Sequence, residues 1–193
     1  ATDAIHLYNL SGSSFANTAQ AEFNWDMHRR WDLRLAYRWV NAHTDRILGN
    51  PTEDPFVSKH RGFSQLSYAS PLDEREGQWR ADAPFQWIGA QRLPTTAANP
   101  EPFNRPDYAP DFYQLNAQVT RQFTPEFSVY LGVENALNYK QDRPIIGADY
   151  GDNPVAQQDF NQYFDASLVY GPIFGRMFYA GLRWGILPPK KNE

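Results

Sequence analysis

The sequence has no cysteine among its 193 residues, which removes disulfide frameworks and thiolate metal sites from consideration. It has no run of about 18 consecutive apolar residues, so no segment is suited to cross a bilayer as a helix. Its first residues lack the basic start and apolar core of a secretory signal. They also lack an initiator Met and read as the middle of a strand, so the expectation is a fragment or a processed product. A cationic excess is missing too. The formal net charge is −4, whereas a nucleic-acid partner calls for a basic face. Histidine is scarce: His6, His28, His43 and His60 are scattered, and none stands at a metal-ligand spacing. His43, Asp45 and His60 are the set that folding could bring together, although surface or lumen positions are the better reading. No Ser/His/Asp set and no carboxylate pair with helper groups is visible. The chain is therefore read as neither an enzyme nor a cofactor protein.

What the chain does have is aromatic residues, at 16%, in alternating stretches. Ala19, Ala21, Phe23, Trp25 and Met27 alternate with Gln20, Glu22, Asn24 and Asp26. After a polar turn at His28–Arg30, Trp31, Leu33, Leu35, Tyr37 and Trp39 alternate with Asp32, Arg34, Ala36 and Arg38. A period of two gives a strand with one apolar and one polar face. The pattern returns more weakly at Phe63–Ser70, and again at Gln78–Arg92, where Pro84 predicts a bulge or a weakened pairing. It continues at Tyr113–Thr120, Phe127–Asn135 and Arg176–Ile186. With a strand near Ala4–Leu10, about eight strands result.

The connections alternate in length. Short turns fall at His28–Arg30, Pro71–Gly77 and Thr124–Glu126; long Pro- and Asp-rich loops fall at Thr44–Val57, Leu93–Pro110 and Lys140–Phe174. Outer-membrane barrels have short periplasmic turns, long extracellular loops and aromatic girdles at both interfaces. Their alternation also explains a low mean hydropathy. The fold class predicted is all-β, an antiparallel transmembrane β-barrel segment spanning residues 1–187, with a polar tail at 188–193. Tyr163–Tyr170 alternates as well and is read as an extension above the membrane.

Six stretches carry a resemblance: YNLSGSSFANTAQAEFNW, WDLRLAYRWVNAHTD, PFVSKHRGFSQLSYAS, WIGAQRLP, FSVYLGVENALNYKQDRPI and GPIFGRMFYAGLRW. In this order and spacing they resemble the C-terminal barrel of TonB-dependent receptors. The fifth is similar to that family's penultimate strand and the sixth to its closing strand. The resemblance implies a barrel of about 22 strands filled by an N-terminal plug, of which this chain supplies the last part. It implies active uptake of a scarce nutrient: siderophore-iron, a vitamin, a metal chelate or an oligosaccharide. The implied location is the Gram-negative outer membrane. The implied partners are outer-membrane lipid and lipopolysaccharide, the plug and remaining strands, TonB acting through the plug, and a small-molecule substrate. Two departures stand out: no plug is present here, and the chain runs past Trp184 into GILPPKKNE, where the family commonly ends at an aromatic residue.

Ligand contacts are expected in the long loops. Arg92 and Arg105 border one loop and suit an anionic chelate or lipopolysaccharide phosphate, because guanidinium matches such oxygens bidentately. Lys59, His60 and Arg61 lie similarly at a strand start. Asp142, Asp149 and Asp152, with Asp159 and Asp165, cluster in the last loop. Their oxygens suit Ca²⁺ in kind but not in EF-hand spacing, so a solvated acidic loop is the better reading. Two other functions compete with uptake: a self-contained eight-stranded barrel with a structural or adhesive role, and a soluble β-domain that binds carbohydrate through its aromatics.

Overall fold

The computed structural model describes residues 12–45, 52–148 and 163–186. Among these residues eleven strands follow one another: β1 (Phe15–His28), β2 (Trp31–Thr44), β3 (Thr52–Glu53), β4 (His60–Ala69), β5 (Gln78–Ile88), β6 (Gln91–Arg92), β7 (Tyr108–Ala109), β8 (Phe112–Leu115), β9 (Ala117–Gln122), β10 (Phe127–Glu134) and β11 (Met177–Trp184). Among the described residues the only helical element is a 3₁₀ turn at Glu101–Phe103. The main sheet runs β1-β2-β4-β5-β9-β10-β11, with every pair antiparallel. It is an up-and-down meander, so short turns fall at one end and long loops at the other. The expected strand near Ala4–Leu10 lies outside the described residues. The sheet is not closed: β1 and β11 sit at its two ends.

Register converts the alternating sequence into two faces. Phe23, Leu35, Ser64, Phe85 and Leu115 form one cross-strand row. Ala81, Val119, Leu131 and Ala180 form another on the same face. The opposite face carries Asp26, Asp32, Ser67, Asp82 and Gln118 in one row. There Arg34 pairs with Glu22 at 3.0 Å, and Ser67 donates to Asp82 at 2.7 Å. Among the described residues no second layer covers the apolar face. Leu131 is 62% exposed, Leu182 66% and Phe178 73%, values that a sandwich core would not permit.

Aromatic residues mark both ends of that face. Towards the short turns, Trp31 packs on Tyr68 at 4.7 Å and Phe127 on Trp184 at 5.6 Å. The Arg121 guanidinium lies over Trp79 and Phe123, at 5.4 and 5.5 Å, and pairs with Asp73 in the adjacent turn. That contact holds the Asp73 carboxyl below its ordinary range, helped by the Gly77 and Arg75 amides. Towards the long loops, His60 stacks on Trp87 at 6.4 Å and on Tyr37 at 6.1 Å, and Phe85 stacks on Tyr113 at 5.8 Å. Trp31 to Trp39 on β2, and Trp79 to Trp87 on β5, both span eight residues. At ~3.4 Å per residue that is about 27 Å, and tilt shortens it towards the ~25 Å apolar band of outer-membrane barrels.

Two expectations are corrected by the structure, and of the two alternatives at Pro84 the weakened pairing is the one observed. Pro84 produces no bulge: Phe85 pairs with Leu115 and Asp82 with Gln118 in one unbroken register. Asn116 still donates to the Pro84 carbonyl at 3.0 Å, but Pro84 has no N–H to return, so the partner strand divides into β8 and β9. The stretch expected at Gln78–Arg92 ends as β5 at Ile88, and Gln91–Arg92 belongs to a separate two-stranded sheet with β7. Of the expected extension at Tyr163–Tyr170, only an isolated bridge between Asp165 and Ile146 is formed.

Glycine seats two tyrosines on the polar face. Gly132 faces Tyr179, and Tyr130 faces Gly181, across β10 and β11. A Cβ on either glycine would collide with the facing tyrosine, whose ring covers the bare backbone. Tyr179 in turn donates to Gln118 at 3.1 Å. Gly132→Ala is expected to push Tyr179 off Gln118 and destabilise by ~1–3 kcal/mol through overpacking. The measurement is the midpoint of thermal unfolding followed by circular dichroism, and an unchanged midpoint would contradict this packing.

Candidate ligand-binding site

The long connections converge at one end of the sheet, where the buried core lies. Leu93, Ala109, Ile146 and Leu168 form a cluster, with Phe56, Phe103 and Tyr170 packed on it. Side chains of the last loop hold it in place. Asn135 takes the left-handed conformation, φ 49°, which asparagine tolerates. Its amide donates to the carbonyls of Tyr139 at 2.7 Å and Phe174 at 3.1 Å. Gln141 is buried, and its side chain meets three backbone groups. It donates to Leu168 O at 2.9 Å and accepts from Tyr170 N at 2.8 Å and Gly171 N at 3.1 Å. Phe112 stacks on Tyr139 at 4.8 Å. Burial, and then a hydrogen bond with Tyr170, pushes the Tyr139 hydroxyl well above the ordinary phenol range.

Beside this cluster is a pocket of about 320 Å³, with Arg105, Tyr108, Asp142, Arg143 and Tyr170 in its wall. That volume is near the lower end of the ~300–1,000 Å³ usual for small-molecule sites. Thr96 fixes the backbone of Arg105, whose N–H it accepts at 2.7 Å. The Arg105 guanidinium donates to Asn104 O at 3.0 Å. Guanidinium, carboxylate and phenol groups around an apolar floor suit a small polar or anionic molecule bound through directional hydrogen bonds.

The structure brings together two of the five residues expected from sequence. Arg105 and Asp142 line the same pocket. Arg92 serves the loops instead: it donates to Glu53 O at 3.2 Å. Asp149 and Asp152 lie outside the described residues, as does Asp159. Asp165 accepts from Ser167 N at 2.7 Å and so closes a local turn. His43 stacks on Phe15, while His60 lies 2.6 Å from the Tyr37 hydroxyl through Nδ1. Among the described residues, no group of three or more His, Asp or Glu side chains is placed to hold a metal ion. Tyr108, Gln141, Arg143 and Tyr170 were not foreseen.

Lys59 is also engaged. It forms an ion pair with Glu53, and Tyr108 donates to the other Glu53 oxygen at 3.0 Å. The pair holds Glu53 below its ordinary range and Lys59 above its own, and Glu53 likewise raises Tyr108. This staple joins β3, the start of β4 and β7. Its contribution from Glu53 is present above the ordinary glutamate value and is lost as pH falls through the lowered one. Its contribution from Lys59 is present below the ordinary lysine value and is lost as pH rises through the raised one. Glu53→Gln is expected to speed amide exchange at Phe56, which donates to Arg92 O at 2.9 Å, by a few-fold at neutral pH. An exposed pair is worth only ~0.2–1 kcal/mol. Unchanged exchange would show that the staple does not hold the loops.

Comparison with family models, with curated proteins and with solved structures gives no match.

Proposed function

We propose that the chain forms part of the wall of a transmembrane β-barrel in a Gram-negative outer membrane, in a TonB-dependent receptor that imports a small, scarce nutrient. The observation that carries the membrane reading is the apolar face. It runs the length of the strands, none of the described residues covers it, and aromatic belts bound it about 27 Å apart along the strand. A face of that size exposed to water is a liability; facing lipid, it has its solvent. None of the described helices is long and apolar enough to cross a membrane, which says nothing about strands. The import reading rests on the six stretches with TonB-dependent-receptor character, and it is supported by a pocket among the long loops rather than at the short turns.

In this reading the polar face lines the lumen and meets a plug. The loops take the substrate and meet lipopolysaccharide, and TonB acts through the plug. Cysteine placed at Asn99, in a long loop, is expected to react with an impermeant maleimide on intact cells. Cysteine at Glu74, in a short turn, is expected to react only after the outer membrane is broken. Labelling of Glu74→Cys alone on intact cells would reverse the topology, and equal labelling of both would remove the membrane.

A further inference from the structure

We propose that Arg38 and Arg61 form a subsite for an oxyanion, a carboxylate or phosphate group carried by a small diffusible molecule. Arg38 on β2 and Arg61 on β4 are direct register partners on the polar face. Their Cβ atoms are therefore ~4.5–5.5 Å apart, and like charges so placed destabilise a sheet. Their row brings no relief, for it continues to Gln20 on one side and Ile88 on the other. The nearest acid along the face, Glu22, is held by Arg34 at 3.0 Å. Among the described residues the ion pairs are Arg34–Glu22, Lys59–Glu53 and Arg121–Asp73, and neither Arg38 nor Arg61 takes part in any.

Around the two arginines is a pocket of about 150 Å³, lined also by Gln20, Phe63 and Gln86 on the same face and by Tyr37 and Trp87, whose side chains belong to the other face. The polar side chains that this face gives it are two guanidiniums and two amides, and no carboxylate lines it. Guanidinium presents a planar fork that matches two oxygens of one carboxylate or phosphate, and amide N–H groups complete the shell. The volume is well below the ~300 Å³ of a whole-ligand site. It therefore fits one anionic group of a larger molecule. Arg61 directly follows the first residue of β4, so the subsite lies near the long-loop end, where a molecule entering from the loops arrives first.

The inference rests on strand pairing and on the pocket beside it, with entry from the loops taken from the proposed function, and its failure would leave the membrane reading standing. The test is isothermal titration of the protein extracted in detergent from outer membranes together with the strands that complete its sheet, using inorganic phosphate and tricarballylate at constant ionic strength against chloride. Saturable binding of one or both is expected in wild type. Arg38→Gln and Arg61→Gln should each weaken it about tenfold or more, as expected for loss of a charged hydrogen-bond partner. Arg80→Gln, on the same face at the short-turn end, should leave it unchanged. Arg61→Lys keeps the charge without the fork, so an intermediate loss is expected there even if the Gln variants fold poorly. The proposal is overturned if neither anion binds wild type, if chloride reproduces the heat, or if binding survives in both Gln variants.

Discussion

Leu131→Arg is expected to prevent assembly of the folded protein in the outer membrane, while Gln118→Arg leaves assembly close to wild type. The two positions lie on neighbouring strands, one rung apart: Leu131 pairs with Val119, and Gln118 pairs with Gly132. They differ in the face they occupy. Leu131 sits mid-strand on the apolar face and is 62% exposed, so in a bilayer it touches acyl chains. An Arg near the midplane there costs ~2–4 kcal/mol. Gln118 is on the polar face, within reach of Thr120 at 3.1 Å and Tyr179 at 3.1 Å, where an added guanidinium meets water and acceptors. The measurement is the yield of heat-modifiable protein in outer-membrane fractions. Equal yields for the two variants would mean that the faces are misassigned.

The second large effect concerns the sheet edges. As a 193-residue chain refolded by itself in detergent, the protein is expected to aggregate rather than form a monodisperse monomer. β1 pairs with β2 and β11 with β10, and the sheet path ends at both. An unsatisfied backbone group in hydrocarbon costs several kcal/mol, so an open edge cannot persist in a membrane. In water or at a micelle surface the same edges template association. Closing them on each other would demand a small barrel with its own tilt and shear, whereas the reading proposed here gives both edges to other strands. Size-exclusion chromatography with light scattering decides the matter. A monodisperse, heat-modifiable monomer would favour the self-contained small barrel.

Much of the strand architecture was legible because period-two alternation is a local signal. The faces of β1, β2, β9, β10 and β11 follow directly from residues such as Phe23 and Trp25, or Phe178 and Leu182. Strand ends were less legible. β2 continues through Val40–Thr44, where alternation fades, because Thr18 and Val40, and Ala16 and Ala42, remain paired through the backbone, and backbone pairing leaves no side-chain pattern. Pro84 showed where a donor is missing but not whether the register would slip. Neighbours on both sides hold Pro84 in line, so only one ladder bond is lost. The loop pocket was legible in part. Arg105 and Asp142 were chosen for their chemistry, but that they face each other depends on contacts made far along the chain. Gln141 gave no warning, since a glutamine in a Pro-rich loop reads as solvated until its two neighbouring segments fold around it.

The most direct test of the membrane-wall claim is a spin-label scan along β10, from Ser128 to Glu134, in outer-membrane vesicles that contain the protein. Each site is exposed in turn to oxygen, which partitions into lipid, and to a water-soluble nickel chelate. Labels at Val129, Leu131 and Val133 should be relaxed by oxygen and shielded from nickel, and those at Ser128, Tyr130 and Glu134 should not share that profile. The oxygen and nickel profiles should therefore oscillate with a period of two and in opposite phase. Strong nickel access at Leu131, or profiles without that period, would contradict the account.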